Sequence, residues 1–298
     1  MPDTGEISSI LVATGLGGES DAPIRMAGFL AQRTGAELHL LHALELDALP
    51  PSSSSEPPPN FQALVERTDR ELDRQAERAL PAEVQPASTE VIIFVPHKAI
   101  LNRALQVAAD LIVLGAHRSR PNGDPLLGPT PDRVIRSAAA PCLIVPPVAP
   151  RPFRRVVAAI DVQMPASAAL DLAQLWAARF GADGTDGAEV HVMYTTPAVG
   201  KEAELENAIR REIERSRERI GQDGPVRVYP VIRQGKSPAE EIVRYAEEID
   251  ADLVVLGTRG FGAIRRALIG SVASMVGRLA PCPVLLVPPV LWRGSERW

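Results

Sequence analysis

Ala109-Asp-Leu-Ile-Val-Leu-Gly115 returns 142 residues later as Ala251-Asp-Leu-Val-Val-Leu-Gly257, and this near-identity decides how the chain is organised. An apolar run led by Asp and closed by Gly reads as a buried strand running into a turn. The repetition extends outward on both sides. Ser9-Ile-Leu-Val-Ala-Thr14 opens the first half as Arg155-Val-Val-Ala-Ala-Ile160 opens the second, and Ala-Pro-Cys stands at 140–142 and again at 280–282. The chain is therefore expected to be a duplicated unit, with one domain over 1–148 and another over 153–298.

Within each half, short apolar runs alternate with longer stretches of helical periodicity, the signature of βαβ units and a parallel sheet covered on both faces. In the first half strands are expected near 9–14, 37–43, 89–95, 111–115 and 142–145, and helices near 21–33, 61–79, 98–108 and 131–138. In the second half the strands fall near 155–160, 188–194, 226–232, 252–256 and 283–287, with helices near 166–179, 201–220, 238–249 and 271–279. The fold class is α/β: two similar doubly wound, Rossmann-like domains, each with a five-stranded parallel sheet flanked by helices. Pro50-Pro-Ser-Ser-Ser-Ser-Glu-Pro-Pro-Pro59 suits neither ladder nor helix, because its prolines lack donors and its serines compete for backbone bonds. It reads as a loop. The prolines from Pro146 to Pro152 read as a short stiff linker that brings the two halves close together.

Composition narrows the function classes. The 298 residues are 45% hydrophobic and 23% charged, with a net charge of −5. That is an ordinary globular balance, and it disfavours a sequence-independent nucleic-acid binder, which needs a positive footprint. Small ligands and protein partners remain. Two cysteines make neither a disulfide framework nor a metal set, which fits a reduced, cytoplasmic compartment. No apolar run approaches the ~18 residues of a membrane span, and the N-terminus lacks a basic region followed by an apolar one.

The chemistry is carried by Gly257-Thr-Arg-Gly260-Phe-Gly-Ala-Ile-Arg-Arg-Ala-Leu-Ile-Gly270-Ser271, which has the spacing G-x2-G-x9-G-S. Chance alone produces it in a chain of this composition with a probability of only about 1%. It follows the fourth strand, and ligands of parallel sheets sit beyond the carboxyl ends of the strands. Glycines there let backbone N–H groups approach phosphate oxygens without a Cβ in the way. Gly270-Ser271 at a helix start adds free amides, a positive dipole end and a hydroxyl for the same anion. Asp161 follows the first strand at the same edge, where a carboxylate can accept from a ribose or a base amino group, or can serve as a helix cap. Arg259, Arg265 and Arg266 are candidate phosphate neutralisers, or simply solvated loop residues.

These features resemble the universal stress protein family in its tandem form, and the resemblance covers essentially the whole chain. It implies an ATP-binding protein of the stress response. Carried over by position, the resemblance implies adenine and ribose contacts from Ile160, Asp161 and Val192. Phosphate contacts would come from Gly257, Arg259, Gly260, Gly270, Ser271 and Val272. Mg2+ or Mn2+ is inferred only as the usual companion of a polyphosphate. The last strands of such domains commonly pair, so segments 142–145 and 283–287 are expected to pair within the chain; a homodimer is also open.

The first half departs from the pattern. Gly15 stands where the second half has Asp161, Arg118 where it has Gly260, and Pro129 where it has Ser271. Proline removes a donor and the hydroxyl together. Aligned on Ala-Pro-Cys, the first half also carries two extra residues between Gly128 and Cys142, so an altered helix start is expected. Its domain is expected not to bind ATP, or to bind something else weakly.

No histidine spacing suggests a metal or catalytic set. His117 beside Arg118 reads as a solvated loop, and His39 and His191 as satisfied second-strand residues. Cys142 and Cys282, at equivalent lead-ins to the last strands, read as small buried hydrophobes.

Three functions are open at this point. The first is a nucleotide-binding regulator whose second domain holds ATP and whose occupancy is read by an unknown protein partner. The second is a slow ATPase or nucleotide transferase, against which stands the lack of a G-x4-G-K-[ST] loop. The third is a non-binding scaffold or interaction module.

Overall fold

Ten strands and eight helices alternate along the described residues of the computed structural model, which are 7–17, 20–45, 61–116, 127–161, 168–181, 187–197, 200–221, 226–258 and 270–289. The Pro/Ser-rich stretch 50–59 lies outside them, as do His117 and Arg118. The first half runs β1 (Ser9–Ala13), α1 (Asp21–Thr34), β2 (Glu37–Leu44), α2 (Phe61–Ala79), β3 (Ser88–Ile93), α3 (Pro96–Gln106), β4 (Leu111–Gly115), α4 (Pro129–Ser137) and β5 (Cys142–Val145). The second half repeats the order: β6 (Arg155–Ala159), α5 (Ala168–Phe180), β7 (Glu189–Thr196), α6 (Glu202–Ile220), β8 (Arg227–Gln234), α7 (Pro238–Glu248), β9 (Leu253–Gly257), α8 (Ser271–Leu279) and β10 (Val284–Val287). Helices α3 and α4 begin two residues earlier than periodicity suggests. Each starts on a proline, whose missing N–H costs nothing in a first turn.

All ten strands form one sheet in the order β3-β2-β1-β4-β5-β10-β9-β6-β7-β8. Pairing is parallel within each half and antiparallel at the single junction between β5 and β10, where Leu143 faces Leu285. The expected pairing of the last strands is thus present, and it removes an edge from each half. Because that junction is antiparallel, the carboxyl ends of the two halves' strands point in opposite directions.

Side-chain alternation distributes the core on both faces. Ile10, Val12, Val156 and Ala158 join Leu143, Val145, Leu285 and Val287 beneath α1, α2, α5 and α6. Leu11, Val157, Cys142, Ile144, Val284 and Leu286 lie on the other face with α3, α4, α7 and α8. Each fully buried aliphatic side chain contributes about 1.5–3 kcal/mol. Both clusters run across the β5/β10 junction, so the halves share their cores.

The linker residue Phe153 is wholly buried and stacks on Trp176 at 5.9 Å, with Phe180 and, from the first half, Phe29 packed edge-on. Its amide donates to the Phe180 carbonyl, and Gly181 follows there because a Cβ would strike the carbonyls of Ala177 and Phe153.

The repeated Asp of the Asp-Leu-(Ile/Val)-Val-Leu-Gly motif has a structural task. Asp110 Oδ2 accepts the N–H groups of Ser8 and Ser9 at 2.9 and 3.0 Å, and Asp252 Oδ2 accepts those of Arg154 and Arg155 at 2.9 and 2.8 Å. Each carboxylate pins the start of its half's first strand to the start of its fourth.

The repeat also corrects an alignment. Helices α4 and α8 are both nine residues long, and the Pro141 and Pro283 carbonyls accept from equivalent residues Ile112 and Val254. Cys142 therefore corresponds to Val284, not to Cys282, and the expected two-residue insertion before Cys142 does not exist. The two Ala-Pro-Cys triplets are offset copies, the second lying two residues further from its strand.

Candidate functional site

In the second half β6 lies between β7 and β9, and the chain runs from β6 outward to β7 and β8 before crossing back to β9. The ends of β6 and β9 form the switch point of this sheet, the place where ligands of open parallel sheets bind. Ile160 and Asp161 leave β6 there, with the Ile160 amide donating to the Met193 carbonyl at 3.0 Å. Gly257 ends β9 opposite Val287 of β10. Thr258, almost fully buried, donates its N–H to the Val287 carbonyl at 2.9 Å.

Gly270 returns the chain to the same edge. Its N–H donates to the Thr258 carbonyl at 2.8 Å, so this amide is engaged in closing the loop. Gly270 then caps α8 in extended conformation with no side-chain partner. The first bond of the helix runs from the Ser274 N–H to the Gly270 carbonyl, which leaves the amides of Ser271, Val272 and Ala273 without a helical acceptor. No acidic residue stands in this first turn. Three convergent N–H groups at a positive dipole end, reinforced by the Ser271 hydroxyl, suit a phosphate oxygen.

Proline reduces the corresponding set in the first half. Helix α4 starts from Gly128 with its first bond from Asp132, so the matching positions are Pro129, Thr130 and Pro131. Only Thr130 has an N–H to offer. Asp132 adds a carboxylate to that first turn, where it pairs with Arg136 at 2.8 Å.

Of the sequence candidates, Ile160, Asp161, Gly257, Gly270, Ser271 and Val272 gather at this edge, whereas Arg259 and Gly260 lie outside the described residues. Val192 sits within β7 opposite Ala158, wholly buried in the core. The residue of β7 that stands at the edge is Tyr194, two positions on; its hydroxyl is held above the ordinary phenol range by burial and by the negative charge of Asp161. Ala273, the third free amide, was legible from the helix start alone.

His39, His42, His191 and the two cysteines fill structural places. His39 meets Ser88 at 2.8 Å and His191 meets the Tyr245 hydroxyl at 2.7 Å. Burial pushes both Cys142 and Cys282 up to about 12.

The sequence profile of the universal stress protein family matches residues 6–146 and again 152–288. The chain belongs to the universal stress protein family. A universal stress protein from the QAH/OAS sulfhydrylase 3′ region of Thermus aquaticus is 39% identical over 102 residues, which is 33% of this chain and 74% of its own. A universal stress protein of Methanocaldococcus jannaschii is 35% identical over 111 residues, 34% of this chain and 65% of its own. Among solved structures, a universal stress protein from Archaeoglobus fulgidus superposes over 97% of this chain and 99% of its own with a TM-score of 0.67 and 22% identity. The tandem arrangement of two universal stress protein folds is thus shared along the whole length.

Proposed function

We propose that this universal stress protein binds ATP at the carboxyl edge of its second domain, 153–298, while the first domain, 1–148, is a non-binding partner that completes the sheet. The observation that carries this reading is the contrast between the two equivalent helix starts. Helix α8 offers three free amides where α4, with Pro129 and Pro131, offers one.

The residues fit the ligand. Ser271, Val272 and Ala273 would take phosphate oxygens, and Gly257 would allow the polyphosphate to lie close to the end of β9. Asp161 would accept from the sugar, with Ile160 beside the base. Mg2+ or Mn2+ would arrive with the polyphosphate, which presents most of its ligands. Occupancy of this edge would then be what a protein partner reads in the stress response.

The test is mass spectrometry of nucleotide released from freshly purified protein, with Asp161→Ala and Ser271→Pro alongside. ATP or ADP retained by the native chain and lost from both variants supports the reading. A native chain that carries none and takes up no added ATP refutes it and leaves the scaffold.

A further inference from the structure

Tyr194 belongs to no motif, yet the register brings it to the proposed nucleotide edge. Ala159 pairs with Met193, and the Ile160 amide bonds to the Met193 carbonyl, which sets Tyr194 alongside Ile160 and within the field of Asp161. Its half-buried ring packs on the core shared by α5 and α6. Packing holds the ring in place and leaves the hydroxyl as its one strong hydrogen-bonding group. Burial and the neighbouring carboxylate both keep that hydroxyl protonated, hence a donor.

In the first half a hydrogen-bond network crosses the same place. His42 occupies the position of Tyr194, and its Nδ1–H donates to the Thr14 carbonyl at 2.9 Å. The Thr14 hydroxyl donates to Gln75 Oε1 at 3.0 Å, and Gln75 Nε2 donates to Asp21 Oδ1 at 3.0 Å. Gln75, 1% exposed, thus fastens α2 over the turn after β1 and consumes its polar groups. In the second half Ser216 takes the place of Gln75 and bonds back into α5, to Gln174 at 2.6 Å and to Asp171. Ile160 replaces Thr14 and Asp161 replaces Gly15. The edge that carries Gly15 and His42 in the first half thus carries Asp161 and Tyr194 in the second.

We propose that Tyr194 is a sugar-binding residue, whose hydroxyl bonds a ribose hydroxyl beside Asp161 and makes the second domain selective for ribonucleotides over deoxyribonucleotides. The assignment rests on the nucleotide reading above. An acceptor and a donor side by side match a vicinal diol, and an analogue lacking one hydroxyl leaves a polar group of the site unpaired.

The experiment is calorimetric titration of the full chain and of Tyr194→Phe with ATP, 2′-deoxy-ATP and 3′-deoxy-ATP. The native chain is expected to favour ATP over at least one deoxy analogue by roughly tenfold. Tyr194→Phe is expected to bring that ratio to about one, by weakening ATP and leaving the deoxy analogue unchanged. Each ratio is taken within a single protein, so a reduced folded fraction cancels. An undiminished preference in Tyr194→Phe, or none in the native chain, overturns the assignment alone. A native chain that binds none of the three overturns the nucleotide reading with it.

Discussion

Arg151 in the linker sets its Nε 2.6 Å from Oδ1 of Asp252, the carboxylate whose other oxygen receives the amides of Arg154 and Arg155. A second contact, 3.0 Å from Arg151 to Asp250, holds the same guanidinium. One buried aspartate therefore fixes the linker, the start of β6 and the start of β9 together. Arg151 is half-exposed, so solvent screens much of the ion pair, and the two amide bonds carry most of the effect.

Replacing Asp252 by alanine leaves those two amides without their acceptor and is expected to destabilise the chain by about 2–3 kcal/mol. Urea unfolding measures it. A loss below about 1 kcal/mol would contradict the role given to this carboxylate.

The stability of the fold is expected to fall on mild acidification. Burial depresses His39 and His191, with Arg103 adding to the first and Glu37 opposing it, while Glu189 opposes the second and Arg155 adds to it. Burial also depresses His97, helped by Arg133 and Lys98 and opposed by Glu45. A histidine whose folded pKa lies below its unfolded value of about 6.5 stabilises fully above that pH, and its contribution is lost as pH falls through the folded value. Unfolding midpoints should decline from about pH 6.5 downward, and the decline should flatten in a His39→Gln/His191→Gln variant. An equal slope in that variant would exclude these two residues as its source.

Both thiols should be inert in the folded chain. With Cys142 and Cys282 pushed up to about 12 and buried in the core, thiolate is absent at neutral pH and a reagent has no approach. Thiol titration near pH 8 should give no reaction until denaturant is added. Prompt labelling of either cysteine in native protein would contradict the packing.

Much of this architecture is legible in the sequence because duplication prints it twice: the Asp-Leu-(Ile/Val)-Val-Leu-Gly strands and the helical stretches between them follow from local pattern, while the pairing of the last strands follows from the family resemblance. The glycine-serine spacing likewise points to the start of α8. Local pattern fails where the answer depends on register. Ala-Pro-Cys aligned the last strands two residues out, because a repeated triplet carries less weight than the hydrogen bonds of Pro141 and Pro283. Gln75 and Tyr194 carried no signal, since each matters through the strand or helix it faces across the fold. Pro131 removes a second donor from the turn that Pro129 opens, two positions beyond the residue that the repeat alignment singles out.

Ser271→Pro reproduces in the second domain what Pro129 does in the first. Proline fits the first position of a helix, so the thermal midpoint should stay within a few degrees. The amide and the hydroxyl that would bond phosphate are lost together, and ATP affinity should fall roughly ten- to hundredfold. Unchanged affinity would show that α8 does not hold the phosphates.

The stoichiometry of ATP binding to the full chain tests the central claim most directly. Calorimetry should give one ATP per 298-residue chain, with that site abolished by Asp161→Ala. Two sites per chain, or none, would contradict the division of the fold into one binding and one non-binding domain.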